Sequence, residues 1–132
     1  MIVADASAIL EVLLRSDRGL AAERRLLRRG ESIHAPSLID LEIAQVLRRY
    51  VARGELAPSW AWNALAIAAV FPIQRYLHEP LLPRVWELRA NLTAYDAAYV
   101  ALAEGLRAPL LTCDARIAKA AGIRAAVELI EP

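Results

Sequence analysis

The chain has 132 residues, 58% of them hydrophobic and 23% charged, with a formal net charge of +1. That balance excludes a disordered chain, and no apolar run reaches the roughly 18–20 residues that span a bilayer. A charge so near zero points by itself to no nucleic-acid partner.

Residues 2–4 (IVA) form a short apolar run fit for a buried strand, stopped at Asp5. Residues 7–15 then place apolar side chains at helical spacing, with Asp5 or Ser7 available as N-cap. A second helix is expected over 19–29, closed by Gly30, followed by a strand at 32–35 that ends before Pro36. The segment SLIDLEIAQVLRRYVARG reads as a long amphipathic helix with Ile39, Ile43, Val46, Leu47 and Tyr50 on its buried side. Pro58 opens the next helix, SWAWNALAIAAVF, which is apolar nearly all round. Residues 73–77 suggest a short strand, PLLPRVWELRAN a helix, and LTAYDAAYVALAEG another, with Thr93 and Asp96 spaced as a capping box. Strand 109–113, helix DARIAKAAG and strand AVELI complete the chain. Strands alternating with helices indicate one α/β domain over residues 1–132, with a central, mostly parallel sheet and helices on both faces. That length buries a real core.

The opening segment MIVADASAILEVLLR lacks a basic n-region and carries an Asp, so it is expected to be mature structure and not a signal peptide. Cys113 is the only cysteine, which rules out an internal disulfide and suits a reducing, cytoplasmic compartment. All basic residues but Lys119 are arginines, clustered at 24, 25, 28, 29 and again at 48, 49, 53. Arginine suits phosphate through its bidentate fork, although such clusters also serve as solvated helix faces.

In open α/β sheets ligands bind beyond the carboxyl ends of the strands. Asp5 and Asp114 each follow a strand and fall at that edge. Asp96 lies in the first turn of a helix, and Glu42 one turn into the long helix after SIHAP. Each has an ordinary explanation as well: Asp5 and Asp114 as N-caps, Asp96 as the partner of Thr93, Glu42 as a solvated helix residue. Asp40, two residues before Glu42, is left with the solvent. If the four acids do meet, they repel unless a hard divalent cation such as Mg²⁺ or Mn²⁺ neutralises them. The rest of the molecule would then carry a formal +5, the overall +1 plus the four acids removed. Such an ion polarises a phosphodiester and ionises a bound water. Spacing alone does not bring the four together.

The segments VADASAILEVLL, APSLIDLEIAQVLRRYV, LTAYDAAYVALAEG and LLTCDARIAKA resemble, in order and spacing, the four acidic motifs of the PIN-domain family, and within it the VapC toxins of toxin–antitoxin pairs. The resemblance implies a PIN-like nuclease fold in which Asp5, Glu42, Asp96 and Asp114 ligate Mg²⁺ or Mn²⁺ directly or through water. Ser7 and Thr112 match hydroxyl positions that orient ligands or water; the ordinary alternatives are an N-cap and a strand-favouring residue. Where the family often has Asn three residues after the second acid, this chain has Gln45. The implied activity is hydrolysis of RNA phosphodiesters, leaving 5′-phosphate and 3′-hydroxyl ends. The implied partners are a second copy of the chain in a homodimer and a cognate antitoxin.

Competing chemistries lack their residues. No Ser–His pairing stands at recognisable spacing, Cys113 has no nearby His, and no glycine-rich phosphate loop is present. His34 and His78 read as structural. A phosphoaspartyl phosphatase would want an acid where Ser7 stands, and Lys119 is poorly placed for a receiver-type domain. The serious competitor is a non-catalytic RNA- or protein-binding module that keeps the fold without turnover.

Overall fold

Ile2–Ala4 (β1), Ile33–Pro36 (β2) and Leu110–Thr112 (β4) are buried along their whole length, so each strand needs cover on both faces. The computed structural model describes residues 1–132. Two further strands, β3 (Ile73–Tyr76) and β5 (Val127–Leu129), complete a sheet of order β3-β2-β1-β4-β5 in which every pair is parallel. Helices α1 (Ala6–Leu13) and α2 (Asp17–Leu26) connect β1 to β2, and α3 (Ile39–Ala52) and α4 (Pro58–Val70) connect β2 to β3. A 3₁₀ turn (Glu79–Leu81), α5 (Leu82–Glu87) and α6 (Ala94–Leu106) return the chain to β4, and α7 (Ala115–Lys119) leads to β5. Right-handed crossovers put the outward steps β1→β2→β3 on one face and the returning steps on the other. The packing agrees: α1, α3 and α4 meet one another, while α6 lies across β1, β2 and β4 with α5 beside it. The reversal of direction at β1 and β4 is the switch point at which such sheets bind ligands.

Several element boundaries shift for identifiable reasons. Helix α2 starts at Asp17, not at 19, because the Ser16 hydroxyl caps it by accepting from the Gly19 amide at 3.0 Å. Gly19 is needed there for another reason. A Cβ at this position would sit 2.1 Å from the Glu11 carbonyl oxygen of α1, so only glycine lets the two helices approach. The helix expected over PLLPRVWELRAN is broken into the 3₁₀ turn and the six-residue α5. Pro80 and Pro83 fit only in first turns, and each opens one of these pieces.

The arginines divide by burial. Arg25 bridges Glu128, at 2.6 and 3.0 Å, and Glu31, which takes it out of the expected basic cluster. Arg84 clamps Glu104 at 2.7 and 3.1 Å and also donates to the Gly122 carbonyl. Asp40 is not free in solvent as expected. Arg75 holds it by two bonds of 2.8 Å and also donates to the carbonyls of Ala68 and Ile73, tying α3, α4 and β3 together. Both histidines are structural. His34 is buried between the Ser32 and Tyr76 hydroxyls, and His78 accepts from the Leu38 amide at the start of α3. Helix α4 packs through Ala61, Ala64 and Ala68, leaving Trp62, Ile67 and Val70 exposed. No helix is long and apolar enough to cross a membrane.

Gly19→Ala tests the α1–α2 approach. Helix propensity favours Ala by about 1 kcal/mol, whereas overpacking against backbone costs about 1–3 kcal/mol. The clash wins, so denaturant unfolding should show a destabilised protein. A Gly19→Ala chain more stable than wild type would refute the close approach.

Candidate active site

The site begins at the end of β1. Asp5 is 4% exposed and ends the middle strand of the sheet. Its Oδ1 accepts from Ser7 Oγ at 2.6 Å and from the Ala8 amide at 3.1 Å, which makes Asp5, not Ser7, the N-cap of α1. Its Oδ2 accepts from Thr112 Oγ1. The two hydroxyls also accept, Ser7 from the Cys113 amide and Thr112 from the Asp114 amide, both at 2.9 Å. This network fastens the end of β4 to the end of β1. A carboxylate has about four lone-pair sites; three bonds leave Asp5 one open on Oδ2.

Glu42 enters from the first turns of α3, where its Oε1 accepts from Tyr99 Oη at 2.5 Å. Asp96 stands in the first turn of α6, whose N-cap Thr93 accepts from the Asp96 amide at 3.2 Å. Asp114 caps α7 by accepting from the Arg116 amide, and its carboxylate is also held by the Arg116 guanidinium, Nη2 to Oδ2 at 2.6 Å. All four acids line one open cleft of about 540 Å³. Ser7, Gln45, Arg49, Tyr99 and Arg116 line it with them. Thr112 sits behind it, buried, touching Asp5. Gln45, the departure from the family pattern, faces the cleft while its amide oxygen accepts from Arg48.

The electrostatics are those of crowded like charges. Burial pushes the Asp5 carboxyl above its ordinary range; Ser7, Thr112 and the Ala8 amide oppose this, and the Asp96 charge adds to it. Burial likewise raises Glu42 against the opposing Tyr99 bond, with Asp96 and Asp5 adding repulsion. Asp96 is raised by burial and by Asp114, against Thr93 and Arg116. Asp114 alone is held below its ordinary value, by Arg116. No three of these acids converge closely enough to grip one ion by direct bonds from all of them. Mg²⁺ does not require that: it keeps several waters and takes one or two carboxylates directly, with others reached through water. The oxygen-only donor set, the mutual repulsion and the open lone pair on Asp5 fit such an ion.

Tyr99 and Arg116 are cleft residues that the sequence reading does not single out. Tyr99 lies three residues after Asp96, on the same face of α6, and that spacing was the available signal. Arg116 carried no signal beyond its nearness to Asp114. Burial pushes the Cys113 thiol up to about 11, away from the thiolate form a nucleophile needs.

The raised Asp5 value makes a pH prediction. Between the unfolded value, near the ordinary 3.8, and the higher folded value, the native state holds the extra proton. The charged Asp5 therefore costs stability increasingly as pH rises through that window. In chelator, Asp5→Asn should gain on wild type in melting temperature from about pH 4 upward, levelling once Asp5 is ionised. A difference that stays constant from pH 4 to 8 would show that Asp5 is not destabilised by burial.

Comparison with known proteins agrees with this architecture. The model of the PIN domain matches residues 2–123. Ribonuclease VapC12 of Mycobacterium tuberculosis is 41% identical over 130 residues, which is 98% of this chain and 99% of that protein. The VapC ribonuclease Mb0985 of Mycobacterium bovis is 44% identical over 117 residues, 89% of this chain and 88% of its own. The crystal structure of VapBC2 from Rickettsia felis, bound to a DNA fragment from its promoter, superposes with a TM-score of 0.71 at 15% identity, covering 98% of both chains; at that identity it speaks to the fold alone. With the family model spanning nearly the whole domain and relatives above 40% identity, the chain belongs to the PIN-domain family.

Proposed function

We propose that the cleft is the active site of a divalent-metal-dependent endoribonuclease, the toxin of a toxin–antitoxin pair. One observation carries this reading: four carboxylates from four separate segments line a single cleft, and three of them are pushed toward the neutral form by burial and mutual repulsion. Carboxylates so crowded repel one another, and a hard divalent cation relieves that repulsion. That the relatives are named ribonucleases supports RNA as the substrate.

Asp5, Glu42, Asp96 and Asp114 are the residues that would hold Mg²⁺ or Mn²⁺, directly or through water. When bound, the ion supplies charge to polarise a phosphodiester and an ionised water to attack it. The chain's own groups do the positioning. Ser7 and Thr112 fix the Asp5 carboxylate so that its open lone pair keeps one direction. Tyr99 holds Glu42, a cleft residue, by one oxygen and leaves the other without a hydrogen bond. Arg49, an exposed cation on the α3 side of the cleft, suits a backbone phosphate. The same reading brings two protein partners, a second copy of this chain and a cognate antitoxin. The exposed Trp62, Ile67 and Val70 of α4 offer apolar surface to one of them. The lone cysteine remains consistent with a reducing, cytoplasmic setting.

Glu42→Gln separates this reading from a non-catalytic module. Glutamine keeps the shape and the oxygen that accepts from Tyr99, so stability should fall by no more than about 0.5 kcal/mol. Metal-dependent RNA cleavage should fall well over tenfold, since a tenfold loss is only about 1.4 kcal/mol of barrier. Mn²⁺ should also stabilise wild type, as a ligand bound to the native state alone must, by about 2.7 kcal/mol at a hundredfold excess over Kd, read as a raised melting temperature. Unchanged cleavage by a well-folded Glu42→Gln protein removes Glu42 from the site. Absence of any metal-dependent cleavage by wild type favours the binding module.

A further inference from the structure

Most arginines of this chain that hold acids are built into the structure, and one is not. Arg25, Arg75 and Arg84 have side chains only 12%, 24% and 20% exposed, and each ties distant segments together. The Arg116 side chain is 85% exposed, and its only ionic partner, Asp114, stands two residues away in the sequence. Exposed pairs of this kind contribute little to stability. The pair therefore has little to do with holding the fold, and its place on the wall of the acidic cleft calls for another account.

The geometry supplies one. Arg116 Nε lies 3.1 and 3.2 Å from the two oxygens of Asp114, and Nη2 lies 2.6 Å from Oδ2. The guanidinium thus covers both carboxylate oxygens. Without it, Asp114 would keep only its cap bond from the Arg116 amide to Oδ1, and Oδ2 would be open to the cleft. Asp5 and Glu42, by contrast, are held by neutral hydroxyls and amides alone. Asp114 is the one acid of the four that carries its own cation, and that cation also feels the charge of Asp96. A divalent ion and the guanidinium compete for the same oxygens. Once displaced, an exposed arginine at the cleft wall is well suited to a phosphate oxygen of a bound strand.

We propose that Arg116 is an exchangeable counter-ion: it neutralises Asp114 while the cleft holds no metal, and it moves onto an RNA phosphate when a divalent cation takes that carboxylate. No covalent bond changes; the guanidinium exchanges one anionic partner for another and keeps its proton. The inference rests on the metal-nuclease reading above, and it gives Arg116 opposite effects on the two ligands. It opposes the metal and favours the RNA.

The test uses the full chain with Arg116→Gln and Arg116→Lys. Calorimetric titration with Mn²⁺ alone should show Arg116→Gln binding about fivefold more tightly than wild type, the fold-change equivalent of one exposed ion pair. Arg116→Lys should fall between the two. Cleavage of a single-stranded RNA at saturating Mn²⁺ should show a raised KM in Arg116→Gln with kcat changed less. The salt dependence of RNA binding should lose about 0.7 in slope, one phosphate contact. Equal Mn²⁺ affinity in wild type and Arg116→Gln overturns the counter-ion role. Tighter Mn²⁺ binding with an unchanged KM and salt slope overturns the transfer to phosphate. A wild-type chain that binds no Mn²⁺ overturns the metal-nuclease reading itself, and this proposal with it.

Discussion

Asp5 is an almost fully buried carboxylate at the end of the middle strand, and an ion so placed costs several kcal/mol unless its lone pairs are met. Meeting them fixes a large part of the molecule. Ser7 and Ala8 must begin a helix at once, so that an amide and a hydroxyl point back at Oδ1. Thr112 must end β4 beside β1, so that its hydroxyl reaches Oδ2. The same two hydroxyls accept from the Cys113 and Asp114 amides, which sets the turn into α7. One buried charge thereby specifies the pairing of two strands and the exits of both.

The remaining acids follow from topology. A parallel sheet whose connections go out over one face and return over the other leaves a crevice at the strand where direction reverses. Helix α3 borders that crevice from one face and α6 from the other, so Glu42 and Asp96, each early in its helix, arrive at the same cleft. Tyr99 of α6 then ties the two helices together, its hydroxyl on Glu42 and its side chain buried. The arginines that lock this frame lie away from the cleft: Arg75 at α3, α4 and β3, Arg84 at α5 and α6, Arg25 at α2 and β5. Cations that hold the fold and cations that face the cleft are different residues.

How much of this the sequence carried depends on whether the signal was local. The strands, the long α3 and the caps at Asp5, Thr93 and Asp114 were legible, because apolar runs, periodicity and capping chemistry act within a few residues. The start of α2 lies at Asp17 and not at Gly19. The reason for glycine at position 19 is the Glu11 carbonyl of another helix, which no local pattern shows. The break at Pro80 and Pro83 was visible in the residues and was overridden by the apolar spacing around it. Asp40 pairs with Arg75, 35 positions away, and Arg25 with Glu128, 103 positions away, as well as with the nearer Glu31; no local pattern marks such remote pairs. Strand ends and helix starts mark the four acids one by one, the family resemblance joins them into one site, and their meeting in one cleft is a fact of the tertiary structure.

In the sequence, capping and ligation read as alternatives for Asp5 and Asp114, and the geometry shows why one carboxylate has room for both. A cap needs one lone pair of one oxygen, and a carboxylate offers about four. Asp5 gives Oδ1 to the cap and to Ser7, and keeps part of Oδ2. Asp114 gives Oδ1 to the Arg116 amide and leaves the far oxygen to whichever cation is present. The cap adds something a free carboxylate would lack, for it fixes the side-chain rotamer by a bond to rigid backbone. An acid at a helix start is thus pre-set in direction while remaining open to the cleft. Glu42 has no cap to fix it, and the Tyr99 hydroxyl serves that purpose in its place. Position thus takes part of each carboxylate's lone-pair capacity and not all of it: three sites of about four on Asp5, one on Glu42.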